Sequence, residues 1–295
     1  MRRRTYWIEE IRKLSGNFGD DSARLEAELG QEIKAAGTPA LLDHVRTCGA
    51  LPESYRHDSS EEKLYSKYTD SVIAEAFRHI GLKAVVMKER ADAADVEVVA
   101  TDFSFVADAK AFRLSRTAKN QKDFKIEAMH SWKRAHRYAV VVCPLYQLPS
   151  RSSQIYLQST ARDVLILSYS HLAVLIRAAA EGDSARAIEL LYSVFRIVSD
   201  IPPSKDAVAY WIAINREFHR FGGAIEKVYR SEREALLEAI AIAKEEGLNY
   251  LSAERKKIMQ LSHEEAIQQL IFNHNFDNRM KIISNVGDNA LFRID

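Results

Sequence analysis

The chain has 295 residues, 47% of them hydrophobic and 28% charged, with a net charge of +1. That is length enough for a full core and an ordinary globular balance, which excludes a disordered or strongly polyionic chain. Charges follow the basic start at Glu9 and Glu10, so no export signal is expected, and no apolar run of about 18 residues that would predict a membrane span occurs.

Apolar positions at helical spacing begin with Leu25, Leu29 and Ile33 and resume with Leu41, Leu42 and Val45. Gly37-Thr38-Pro39 should break them. Gly49 to His57 reads as a loop. Ser59 or Ser60 can cap a helix that runs to about Ile80, with Leu64, Tyr68, Val72 and Phe77 as its apolar side. Three short apolar runs follow: Ala84-Val85-Val86-Met87, Val96-Glu97-Val98-Val99 and Phe103-Ser104-Phe105-Val106-Ala107. Their lengths and polar connections predict strands. Helical spacing returns from Ala118 to Trp132. Tyr138 to Cys143 is the strongest strand, apolar enough to be covered on both faces, and Val164 to Leu167 is another. A helix over His171 to Ala180 comes next, and only helical patterns are found after residue 183.

Helices and strands in this order predict an α/β protein: a mixed sheet core flanked by helices, with a largely helical C-terminal part. The expected division is an N-terminal helical segment, 1–58, a core, 59–182, and a helical region, 183–295. Cys48 and Cys143 lie far apart and fit no metal-ligand spacing, so they read as reduced core thiols of a cytoplasmic protein.

Charge is unevenly distributed. Between Lys110 and Arg137 stand nine Lys or Arg against Asp123 and Glu127, a local +7, so the remainder sums to −6. A basic block on an acidic body suits a polyanion, although a charge run by itself more often marks a solvated helix face.

The chemistry centres on Asp95 and on Asp108-Ala109-Lys110. Side chains alternate along a strand, so Phe103, Phe105 and Ala107 share one face while Asp108 and Lys110 share the other. Asp95 begins the preceding strand, and a short hairpin can bring it beside Asp108. Two carboxylates can hold a hard cation through oxygen, and a neighbouring ammonium can orient water and stabilise developing negative charge. Glu62, on the preceding helix, is a candidate further carboxylate. An Asp-x-Lys triplet is common, and its bland meaning is a surface ion pair.

The stretch Ala107-Asp108-Ala109-Lys110-Ala111-Phe112-Arg113-Leu114-Ser115-Arg116 and its continuation through Lys125 give the triplet a context. This long string resembles the HindIII family of Type II restriction endonucleases, within the PD-(D/E)XK nuclease class. Glu62 to Lys67, Ala94-Asp95-Val96, Tyr138-Ala139-Val140, Ser153-Gln154-Ile155 and His171-Leu172-Ala173 carry the same resemblance. It is dense from about residue 59 to 175 and weak on either side. It implies a restriction-endonuclease-like fold and hydrolysis of double-stranded DNA by a homodimer, with Mg²⁺ as cofactor and Mn²⁺ as a substitute. It also implies a six-base palindromic site, AAGCTT, a bacterial cytoplasm, and a cognate DNA methyltransferase in the same host. Asp95, Asp108 and Lys110 match the family's catalytic positions; Asp95 and Asp108 would bind the metal. Ala94 stands where the family usually has proline. The family's upstream glutamate has no clear match, with Lys88 and Glu89 at its place.

By helical spacing, Lys119, Asn120, Lys122 and Asp123 share one side, while Phe124, Ala128 and Trp132 share another. Asn, Lys and Asp can read adenine, guanine and cytosine edges in the major groove. Arg113, Arg116 and Lys125 are then expected to neutralise phosphates. No Walker-type loop occurs, so ATP is not expected. The alternatives are a DNA-binding relative that no longer cuts, and a less specific repair or structure-selective nuclease on the same fold.

Overall fold

The computed structural model describes residues 2–87, 93–116 and 121–284. Two compact units divide the chain, Met1–Gly247 and Leu248–Asp295.

In the first unit, α1 (Arg2–Arg12) precedes α2 (Phe18–Thr47). α2 is two helical stretches joined at Gly37, where φ is 67°. The following Pro39 cannot supply a helical N–H, and glycine tolerates the left-handed turn between the stretches. Ser59 caps α3 (Ser60–Ile80) by accepting from the Glu62 N–H, and Gly81 closes it in the left-handed conformation at φ 105°. Leu64, Val72, Ile73, Ala74, Phe77 and Ile80 bury the side of α3 that faces the sheet and its neighbours.

The sheet has five strands in sequence order: β1 (Lys83–Val86), β2 (Val96–Val99), β3 (Ser104–Ala109), β4 (Tyr138–Cys143) and β5 (Val164–Ser168). β1, β2 and β3 form an antiparallel meander, with Val96 opposite Ala107. β3, β4 and β5 run parallel, with Asp108 opposite Val141. Parallel neighbours need crossovers. The first contains α4 (Ile126–Trp132) and the second α5 (Gln154–Arg162). All of β4 and β5 is buried, as their unbroken apolar runs require.

α6 (Tyr169–Ala180), α7 (Ser184–Asp200) and α8 (Ala207–Arg220) complete the covering of the core, and α9 (Gly223–Gln260) follows. One continuous apolar core extends from Trp7 to Val228. Cys48 and Cys143 are free and buried in it. In the second unit, α10 (His263–Asn273) and α11 (Phe276–Ser284) bury no side chain. No described helix is long and apolar enough to cross a membrane.

The expected α/β architecture with a helical C-terminal part is what forms. Two details differ. α5 fills a stretch where the periodicity singled out no element. Of the helix expected over Ala118 to Trp132, residues 118–120 lie outside the described residues; from Gln121 the chain first makes a 3₁₀ turn over Gln121–Phe124 and a left-handed Lys125 at φ 52°, and the α-helix begins at Ile126. Phe124 explains the turn: it is buried against Phe112, and that contact draws the backbone inward before α4 can start.

Candidate active site

Three elements converge at the C-terminal end of β3. Antiparallel pairing of Val96 with Ala107 sets Asp95, just ahead of β2, across from Asp108. α3 packs over the same end and contributes Asp70. Carboxylate oxygens of Asp70, Asp95 and Asp108 all lie within 4.8 Å of one another. Asp70 and Asp108 are buried, and Asp95 is half-buried.

Each position is fixed by backbone bonds. The Met87 N–H donates to the Asp95 carbonyl at 2.8 Å, and the Lys110 N–H donates to the Val142 carbonyl at 2.8 Å. The Ala109 N–H donates to Asp70 Oδ1 at 3.3 Å, which ties α3 to the strand that carries Asp108 and Lys110. The Tyr169 hydroxyl, at the start of α6, donates to the Lys110 carbonyl at 3.0 Å. Beyond Lys110, the chain stays pinned through a parallel bridge between Ala50 and Phe112. There the Phe112 N–H donates to the Gly49 carbonyl at 3.1 Å, and the Leu51 N–H to the Phe112 carbonyl at 3.2 Å.

Charges alternate through the site. Lys110 Nζ donates to Asp108 Oδ2 at 2.6 Å, and Lys67 Nζ donates to Asp95 Oδ1 at 2.7 Å. Burial acts to lower the Lys110 ammonium's pKa, but the adjacent Asp108 carboxylate more than offsets it, and the net direction is up. Burial pushes the Asp70 carboxyl well above the usual carboxylate range, and the Asp95 and Asp108 charges push it the same way.

Three carboxylates this close repel one another unless positive charge lies among them. Oxygen-only donors suit a hard divalent cation better than zinc, which favours Cys and His ligands. The arrangement therefore fits such a cation, held by Asp70, Asp95 and Asp108, with the Lys110 ammonium at its edge.

Asp95, Asp108 and Lys110 thus come together as the strand alternation required. Glu62 does not join the carboxylate group. It lies in the first turn of α3, where its two oxygens accept from Arg113 at 3.1 and 3.2 Å and from the Asp58 N–H at 2.8 Å. Arg113 also donates to the Tyr55 carbonyl at 2.9 Å. Arg116 pairs with Asp123 at 2.7 Å and lies over the Phe112 ring, while Lys125 Nζ lies 5.5 Å from the Trp132 ring centroid. Lys122 is exposed. Lys119 and Asn120, like Lys88 and Glu89, lie outside the described residues.

Asp70 is the member of the carboxylate group that sequence reasoning missed. Its signal was present: Asp70, Ile73, Ala74 and Phe77 form one stripe of α3, and a carboxylate on an apolar stripe calls for a partner.

The family model described as HindIII restriction endonuclease matches residues 4–287. The chain is also 34% identical over 249 residues to the Type II restriction enzyme HindIII of Haemophilus influenzae, covering 82% of each chain.

Proposed function

Since this chain belongs to the HindIII restriction endonuclease family and is a phosphodiester hydrolase of the Type II restriction class, we propose that it cuts both strands of a six-base palindrome, AAGCTT, as a Mg²⁺-dependent homodimer. The observation that carries the reading is the group of Asp70, Asp95 and Asp108 with Lys110 hydrogen-bonded at its edge.

In this reading Asp70, Asp95 and Asp108 hold Mg²⁺, or Mn²⁺ in its place. A cation so bound polarises the scissile phosphate and acidifies a water. Lys110 orients that water and, as a charged donor, stabilises negative charge developing on phosphate oxygen. Asp108 keeps the Lys110 ammonium protonated and aimed at the site. Glu62, a catalytic candidate by its position on α3, acts through Arg113: it orients the guanidinium that follows the catalytic strand.

Arg113, Arg116 and Lys125 are assigned to DNA phosphates, and Lys119, Asn120, Lys122 and Asp123 to base edges. Arg113 and Arg116 hold carboxylate partners without DNA, so binding exchanges an ion pair within the protein for one with phosphate. A palindrome repeats the same half-site under a two-fold axis, which a symmetric dimer matches with one active site per strand. A methyltransferase acting on the same sequence would protect the host's own DNA.

Digestion of a long DNA of known sequence tests this, with Mg²⁺ and an Asp108→Asn control. Discrete fragments ending at AAGCTT, absent from the control, are expected. Discrete fragments ending elsewhere would retain the enzyme class and reject the site. Scattered cuts would point to a less specific nuclease, and tight binding without cleavage to a DNA-binding relative.

A further inference from the structure

The two ammoniums of the site differ in their surroundings. The Lys110–Asp108 pair is closed, with side chains 10% and 3% exposed; the Lys67–Asp95 pair is open, at 22% and 24%. Lys67 stands one turn before Asp70 on α3, so both side chains project from the same helix face. Its ammonium uses Asp95 Oδ1, an oxygen of the outermost carboxylate of the three.

An ammonium and a divalent cation cannot share that oxygen comfortably. Mg²⁺ approaches carboxylate oxygen to about 2.1 Å. With Lys67 Nζ at 2.7 Å from the same atom, the two positive centres would face each other at close range in a partly desolvated pocket. Lys110 is enclosed and its carbonyl is tied down by Tyr169, so it has little freedom to leave. Lys67 has a flexible four-carbon stem and a path to solvent.

We propose that Lys67 is the resident counter-ion of the cation site: it occupies Asp95 when no cation is bound and leaves that oxygen when one binds. Released, the ammonium remains at the rim of the site, where a phosphate arriving with DNA gives it a new partner. Cation and DNA then bind cooperatively, because each makes the displacement of Lys67 easier for the other. Lys67 is a positioning residue here, acting through Asp95. The inference rests on the proposed role of Asp95 as a cation ligand.

Mn²⁺ binding to the DNA-free protein, followed by the electron-paramagnetic-resonance signal of free Mn²⁺, tests both layers. Lys67→Met keeps the stem and removes the charge; Mn²⁺ affinity should rise roughly two- to fivefold, the worth of a part-exposed ion pair. Lys67→Arg should restore weak binding, and Asp95→Asn should abolish the Lys67→Met gain. Unchanged affinity in Lys67→Met, with Asp95→Asn losing binding, would overturn the counter-ion role and leave the cation site standing. Unchanged affinity in both would remove the site reading and this inference with it. Should Lys67→Met fail to fold, the ¹⁵N resonance of the Lys67 ammonium in the unaltered chain decides. It should shift on saturation with Ca²⁺, and a resonance that does not move would refute the exchange.

Discussion

Asp70 is held beside two other carboxylates against its own electrostatics. Among the described residues only the Ala109 N–H donates to it, and burial and like charge both oppose its ionisation. Such a position makes sense where a cation completes it. Asp70→Asn keeps the shape and the oxygen that accepts from Ala109, and removes the carboxylate whose ionisation its surroundings oppose. Cleavage should fall at least ~100-fold, as for loss of a metal-binding oxygen, while the melting temperature holds or rises. Parallel loss of activity and fold would assign Asp70 to structure alone. His171 makes the opposite case, a titratable group with a purely structural role. It is buried, its Nδ1 2.5 Å from the Ser168 hydroxyl and its Nε2 2.9 Å from Asn215 Oδ1, and stacked on Trp211. Burial pushes its pKa down to about 4, against about 6.5 in an unfolded chain. The folded state therefore binds the proton less readily than the unfolded one. The stabilisation is fully present above pH 6.5 and is lost as pH falls toward 4. Unfolding free energy should drop by about 2 kcal/mol between pH 7 and pH 5 from this group, a slope that denaturant titrations of His171→Gln should lack.

At the scale of elements, the strands were legible and the connections were not. Val96–Val99 and Tyr138–Cys143 are defined by their own apolar runs, and alternation from Phe103 onward was enough to aim Asp108 and Lys110 at one site. Asp70 could not be placed in the same way, because nothing local says which end of the sheet α3 crosses. The expected helix differs over Gln121 to Lys125 for a related reason: the burial of Phe124 against Phe112 is a contact between segments, and the 3.6-residue period does not record it. The loop before α3 shows how such contacts reach the chemistry. A Cβ on Gly49 would lie 2.9 Å from both the Pro144 Cβ and the Tyr169 ring. Gly49 accepts from Phe112, and Tyr169 donates to the Lys110 carbonyl, so this glycine and its neighbour Tyr169 both hold the chain around Lys110. Gly49→Ala should cost about 1–3 kcal/mol by overpacking and lower the cleavage rate, read from a denaturation midpoint and single-turnover kinetics. A stable variant cutting at the normal rate would show that the loop yields without disturbing Lys110.

At the largest scale, the described helices of the second unit leave many large apolar side chains exposed. From Leu248 to Ser284 no described side chain is buried, yet Met259 is 77% exposed, Ile283 70% and Phe272 63%. Monomeric proteins rarely present so many large apolar groups together. Five basic and four acidic residues are interspersed over 248–284, so two copies could approach without strong net repulsion. A stable dimer needs roughly 800 Å² from each partner, which a stripe of this length and composition can supply. If the chain is the two-fold dimer proposed above, these helices are its expected contact surface. Replacing Met259, Leu270, Phe272 and Ile283 with glutamine tests this without touching the sheet or its carboxylates. Sedimentation velocity should move from dimer toward monomer, with the main thermal transition preserved. Double-strand cuts should give way to slow nicking, because each monomer would reach only one strand. A variant that remains dimeric and cuts both strands together would move the interface to the first unit.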